Sequence, residues 1–388
     1  MGRMLPAGII LPFAVFWQTF DRSLVLPLVP VVAREFGTSI AAAGSAITLH
    51  ALAYAILPLL WGPLSTRWGR VRVLTVSTAI GAIASLASAV APDIVTFVIA
   101  RALAGIAFAA TFPAVLVYFG DTVPLGRRSA AMSNLATAAA LGIASGVLGA
   151  GAMAEWTSWR FIFGGFAVVA ALLVPALATL PPAGDHRGER VRLQLASLVR
   201  NRWALWLYTL TALEGFLLIG VFNLLPVVLQ QTGEGVFVSG LVTASFGVAV
   251  VVVSQLMKLV VGRTPAWLLM LAAGVTAVAA FAVMVAGVSL LAVLIGATFI
   301  GVAWALGHTT LQTWMTDAAA DARALGMTFF AISLMAGASL GAAAGTMAAD
   351  QHAFGSLFAI SLAGAVVFGV AGTLSRARYR PAAERIPW

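Results

Sequence analysis

The chain has 388 residues, 61% of them hydrophobic and 9% charged, with a net charge of +9 and a mean hydropathy of +1.02. A soluble domain carries roughly a quarter charged residues, so a water-soluble fold is excluded and lipid must solvate most of the surface. With no cysteine there are no disulfides or thiolate metal sites, and His50, His186, His308 and His352 lack metal-ligand spacing, so no metal or other cofactor is expected.

A membrane span needs roughly 20 apolar residues. Twelve such stretches follow one another, at 7–32, 40–61, 71–91, 94–118, 130–154, 160–180, 203–230, 237–261, 266–287, 289–315, 325–348 and 354–374. All are expected to be helices, because a lone strand would leave its backbone polar groups unpaired in hydrocarbon. The first stretch exceeds the ~7–15 apolar residues of a signal peptide, and no small-residue cleavage site follows it, so it is expected to stay as span 1. The predicted class is an all-α membrane protein.

Placing the N-terminus inside puts every lysine and arginine except Arg22, Arg34, Arg101 and Arg160 on the cytoplasmic side. Arg34 and Arg160 fall outside, and Arg22 and Arg101 fall within spans 1 and 4. This asymmetry satisfies the positive-inside rule with both termini cytoplasmic. It also explains the basic charge without a nucleic-acid partner.

One long polar interruption, 181–202, divides the chain into a six-span half at 1–180 and a second at 203–388, which ends in a short basic tail. The interruption opens with Pro181-Pro182. Its Leu193, Leu195, Leu198 and Val199 are placed to lie on the membrane surface. The halves resemble each other. Gly142-x-x-x-Gly146-x-x-x-Ala150 in span 5 recurs as Gly337-x-x-x-Gly341-x-x-x-Gly345 in span 11, and Asp121 with Arg127 and Arg128 corresponds to Asp317 with Arg323. Duplicated halves are a transporter architecture, with the substrate site between the repeats near the midplane. Chance matching of the small residues common in membrane helices is the competing explanation.

Between spans 2 and 3 the chain reads Gly62-Pro63-Leu64-Ser65-Thr66-Arg67-Trp68-Gly69-Arg70-Val71-Arg72. Here glycine permits a tight turn and arginine stays at the inner headgroups. Gly62, Leu64, Arg67, Gly69 and Arg70 match the signature loop of the major facilitator superfamily, G-x-L-x-D-R-x-G-R-[RK], which this segment resembles. The family's aspartate is Thr66 and its last basic residue is Val71. The resemblance implies a cytoplasmic latch that works during conformational change. Arg101-x-x-x-Gly105-x-x-x-Ala109 is similar to the family's fourth-helix motif. Gly142, Gly146, Val147, Ala150 and Gly151 resemble the antiporter motif G-x-x-x-G-P-x-x-G-G, with Val147 at the proline position and Ala150 at one glycine. Trp159-Arg160-x-x-Phe163 and the segment from Asp21 through Leu26-Pro27-x-x-Pro30 are similar to drug-efflux branches. The resemblance is nearest the twelve-helix drug:proton antiporters, and it implies a multi-pass protein of a bacterial inner membrane.

Four formally charged residues lie well within spans: Asp21, Arg22, Arg101 and Glu214. Each costs on the order of 3 kcal/mol facing lipid, so each should face a cavity or a partner. Asp21 lies roughly 16 Å and Arg101 roughly 10 Å from the outer ends of their spans, at 1.5 Å per residue. With helix tilt and a long arginine side chain, the two can meet. A nearby cation favours the carboxylate and burial favours the acid, so Asp21 and Arg101 are expected to form a proton-sensitive pair. A permanent structural ion pair is the alternative. Glu214, near mid-membrane, is expected to recognise a cation or bind a proton, against the alternative of a protonated residue hydrogen-bonded across helices. Trp304, His308, Gln312 and Met315 are spaced as one stripe on span 10, suited to a cavity wall. Gln18 and Arg22 adjoin the Asp21 face. For His308, and for His50 with Tyr54, interhelical hydrogen bonding competes with a functional role.

No nucleotide loop, nucleophile elbow or metalloprotease motif is present, so neither direct use of ATP nor enzymatic chemistry is expected. The leading expectation is proton-coupled export of small lipophilic or cationic molecules by alternating access. The implied partners are the small-molecule substrate, protons and the bilayer, and a monomer suffices. Two other readings stay open: uptake or facilitated passage of a sugar or organic anion, and a non-transporting sensor on the same scaffold.

Overall fold

The computed structural model describes residues 5–123, 125–182, 191–260 and 264–380. Arg3, Arg187, Arg190, Arg263 and Arg385 lie outside the described residues, as do the side chains of Thr66, Arg127, Arg128, Arg192 and Lys258. Span 1 is Leu5–Glu35; span 2 is Ile40–Ile56 with Pro58–Trp68; span 3 is Arg70–Ala89; span 4 is Ile94–Phe108 with Thr111–Thr122; span 5 is Leu125–Trp156; span 6 is Trp159–Ala178. Span 7 runs from Arg202 to Gln231 in several segments. Spans 8 to 12 are Val236–Val260, Ala266–Ala286, Leu290–Ala318, Arg323–Asp350 and Phe354–Arg378. Among the described residues 11 helices are long and apolar enough to cross a bilayer, or 12 when the bent pair in span 2 counts as one.

The breaks have chemical causes. Proline lacks an N–H and its ring clashes with the carbonyl four residues earlier. Span 2 bends by 40° at Leu57, immediately before Pro58. Span 4 breaks at Ala109 and Ala110, where Pro113 cannot bond to the Ala109 carbonyl. Span 7 loosens into a wider π turn over Gly215–Val221 and a 3-10 turn over Phe222–Leu224 before Pro226. Its α-helical first part ends at Glu214.

The described residues fall into two compact units, Met1–Gly188 and Glu189–Trp388. The same pairs of helices pack within each. In the first unit, span 1 packs on span 5, span 2 on span 4, and span 3 on spans 4 and 6; in the second, span 7 packs on span 11, span 8 on span 10, and span 9 on spans 10 and 12. The glycine repeats lie at equivalent contacts. A Cβ at Gly142 would strike Phe16 O and Thr19 Oγ1 on span 1, and one at Gly337 would strike Ala212 O on span 7. Gly146 faces Phe20 O, Gly341 faces Phe216 O, and Gly345 faces Leu224 in the same way. Gly151 is buried in span 5.

Two sequence expectations need correction. The segment 62–72 is not a loop: Gly62, Leu64 and Arg67 lie on the helix Pro58–Trp68, and Arg70 opens the next helix. Gly69 alone makes the turn, at φ 84° and ψ 148°, a conformation that glycine adopts without steric cost. The linker is corrected as well. Its helix Val191–Arg200 does not simply lie on lipid, because Leu198 is 3% exposed and abuts the backbone at Gly326. Val199 remains exposed, and the side chains of Leu193 and Leu195 lie outside the described residues. Asn201 then caps span 7 through Trp203 N and Ala204 N and donates to Ala318 O at 2.7 Å.

Candidate functional site

Span 1 carries Asp21 and span 4 carries Arg101, and both are 0% exposed. Arg101 Nη1 donates to Asp21 Oδ1 at 2.9 Å. Two more of the five guanidinium N–H donors go to span 3: Nε donates to Ser88 Oγ at 2.9 Å and Nη2 to Ser85 Oγ at 3.2 Å. Ser85 Oγ also donates to Asp21 Oδ1 at 3.4 Å, and the Arg101 Cζ lies 4.6 Å from the centre of the Phe163 ring on span 6. Four helices thus meet at one ion pair. Burial makes that pair costly unless its donors are used, and the two serines and the aromatic face use them.

Sequence reasoning did not find Ser85 and Ser88. Their i, i+3 spacing in the otherwise apolar second half of span 3 was the available signal. His50 on span 2 makes the interhelical hydrogen bond that competed with a functional role in the sequence: its Nδ1 lies 3.1 Å from the Arg101 carbonyl oxygen of span 4. Gln18 and Arg22 gather on Tyr54. Gln18 Nε2 donates to Tyr54 Oη at 3.4 Å, and the Arg22 Cζ lies 5.7 Å from the Tyr54 ring centre.

The Trp159-Arg160-x-x-Phe163 segment acts at two levels. Phe163 supports Arg101, while Trp159 Nε1 donates to Glu35 Oε2 at the end of span 1. Arg160 donates to Glu35 Oε1 at 3.0 Å and to Ala89 O and Ala91 O at 3.1 and 2.7 Å, closing the end of span 3. At the opposite end of the first unit, Arg70 forms a largely buried ion pair with Asp121 at the end of span 4. Thr66 replaces the family aspartate, yet Arg70 has an acid. A cavity of about 290 Å³ at that end is lined by Ala7, Pro12, Tyr118, Asn134 and Pro181, and it holds none of the ionisable residues singled out from the sequence.

In the second unit Glu214 is also 0% exposed. Its Oε2 lies 3.1 Å from His308 Nδ1, a partner 94 residues away that sequence reasoning did not assign to it. The His308 ring stacks on Trp304 with centroids 4.0 Å apart and planes 11° from parallel, and it meets Phe330 at 5.5 Å. The span 10 stripe does not share one environment: Trp304 and His308 are half-buried, Gln312 is exposed and Met315 is buried. The two acid–base contacts therefore join spans 1 and 4 in one unit and spans 7 and 10, their counterparts in the repeat, in the other.

A family model described as Major Facilitator Superfamily matches residues 11–342. The chain belongs to that superfamily. That is a family of membrane transporters, not of enzymes. Among its relatives is an uncharacterised MFS-type transporter, YybF, of Bacillus subtilis, 27% identical over 56% of this chain and 56% of that protein. The puromycin resistance protein pur8 of Streptomyces alboniger is 35% identical over 45% of this chain and 35% of its own length. The matches thus span about half, or less, of these curated relatives. Solved structures show the same fold. The xylose transporter XylE of E. coli superposes with a TM-score of 0.75 at 15% identity over 100% of both chains. The nucleoside transporter NupG gives 0.76 at 13% identity over 98% of this chain and 100% of its own.

Proposed function

We propose that this transporter exports small lipophilic or cationic molecules in exchange for protons, from a bacterial inner membrane with both termini cytoplasmic. The carrying observation is the wholly buried Asp21–Arg101 contact. A carboxylate sealed among four helices is tolerated while a cation faces it, and protonation removes that attraction. Proton binding and release at Asp21 therefore change how firmly span 1 is held to spans 3 and 4, which is what coupling to a moving helix requires. Glu214 with His308 is a second titratable pair in the repeat-equivalent helices. Relatives named a puromycin resistance protein and an efflux pump, aflT of Aspergillus parasiticus, support the outward direction.

The test is a proton-flux assay in proteoliposomes containing a trapped pH dye, screened with ethidium and other organic cations beside neutral sugars and organic anions. The proposal expects proton movement on addition of cations. Flux of a sugar or organic anion without proton movement, or no flux at all, would refute it.

A further inference from the structure

Asp21 uses only half of its carboxylate in the Arg101 network. Oδ1 accepts from Arg101 and Ser85, whereas Oδ2 is buried and has no hydrogen-bond partner among the described residues. A second acceptor in the same condition belongs to the same network. His50 is 4% exposed, and its Nδ1 is bonded to the Arg101 carbonyl oxygen. A carbonyl only accepts, so Nδ1 carries the proton and Nε2 of the neutral ring presents its lone pair. Nε2 too is buried without a partner among the described residues.

The ring is fixed in place. A Cβ on Gly105 of span 4 would strike the His50 carbonyl, so the two backbones touch there. Tyr54 lies parallel to the imidazole, with centroids 6.5 Å apart. The charges that act on His50 are Asp21 and Arg22 from span 1 and Arg101 from span 4. A buried acceptor without a donor carries a desolvation cost that a proton would relieve. Two of them beside one ion pair make a site with an unmet need for protons.

We propose that the coupling proton is taken up at either of these two acceptors, Asp21 Oδ2 or His50 Nε2, with His50 as the second proton-binding residue of the first unit. The assignment rests on the proton-coupled reading above and gives it a second residue. The charge balance is simple. With Asp21 ionised, the His50–Asp21–Arg101 group sums to zero, and one added proton brings it to +1. Held on Oδ2, the proton neutralises the anion facing Arg101. Held on Nε2, it makes an imidazolium that competes with Arg101 for Asp21. Arg101 stays tied to Ser85, Ser88 and Phe163 either way, so span 1 is the helix released.

The test reads proton binding by the resting full chain in lipid nanodiscs, without any substrate. Histidine labelled with 15N in the ring gives a pair of signals from each of the four imidazoles, and the His50 pair is the one lost in His50→Gln. Residues that interact by more than about one pK unit titrate as a pair, so Asp21→Asn should displace the His50 midpoint by about one pH unit or more. Reciprocally, His50→Gln should displace the titration of the protonated-carboxyl infrared band that Asp21→Asn removes. Glutamine keeps a donor for the Arg101 carbonyl, so a merely structural histidine would leave that band's titration where it is. A His50 midpoint that ignores Asp21→Asn, or an Asp21 band that ignores His50→Gln, overturns the assignment. Coupled titrations in a protein that fails to move protons with ethidium would sink the export reading alone. Uncoupled titrations beside normal proton-driven export would sink only the role given to His50.

Discussion

Arg101→Ala should be among the most destabilising single changes in the first unit. Its guanidinium is 0% exposed and gives up the 2.9 Å bond to Asp21, the bonds to Ser88 and Ser85, and the face of Phe163. Removing one member of a buried pair costs about 3–5 kcal/mol, because the other charge is left uncompensated. Loss of a desolvated cation–π contact acts in the same direction. The double variant Asp21→Asn/Arg101→Gln strands no charge and keeps hydrogen-bonding groups for both serines, so it should recover more than half of that loss, about 2 kcal/mol. Denaturant titration of the purified protein in micelles, followed by tryptophan fluorescence, measures both. A single variant within about 1 kcal/mol of the parent, or a double variant as unstable as the single, would refute the view that the stranded charge sets the cost.

Gly337→Ala should cost on the order of 1–3 kcal/mol, because its Cβ meets the Ala212 backbone oxygen, which cannot rotate away. Gly164→Ala is the control: its Cβ would meet only Ala89 Cβ at 3.9 Å, so helix propensity should make it neutral or slightly stabilising in the same titration. Asp93 caps span 4 from the loop before it, and a backbone hydrogen bond from Thr96, with a second from its hydroxyl, holds its carboxyl below the usual carboxylate range. A depressed folded-state value means that the cap contributes stability above the unfolded value and loses it as the pH falls through the folded one. Hydrogen-exchange protection in the first turn of span 4, measured against the intrinsic rate at each pH, should therefore fall in acid in the parent and be uniformly low in Asp93→Ala. An acid-insensitive first turn in the parent would contradict this.

The spans were legible because lipid imposes a length and a polarity on each helix, and the observed helices start and stop within a few residues of the apolar stretches. Asp21 and Arg101 were legible as a pair because depth can be counted along a helix axis, and charges of opposite sign at similar depth must find each other. Rotation about the axis is not written in depth. Ser85, Ser88 and Phe163 point at Arg101, and His308 points at Glu214, through contacts between helices whose mutual rotation sequence periodicity does not fix. The segment Gly62–Trp68 was misread for a different reason: its serine, threonine and arginine end the apolar stretch but not the helix. Leu198 was misplaced because an amphipathic face does not say whether lipid or protein covers it.

The most direct test compares two modes of transport by one variant. Asp21→Asn protein, reconstituted beside the parent, is assayed for ethidium accumulation driven by an imposed pH gradient and for ethidium exchange at equal pH. If Asp21 binds the coupling proton, the variant loses gradient-driven accumulation while exchange at equal pH persists. Gradient-driven accumulation at the parent rate would show that the proton travels by another route.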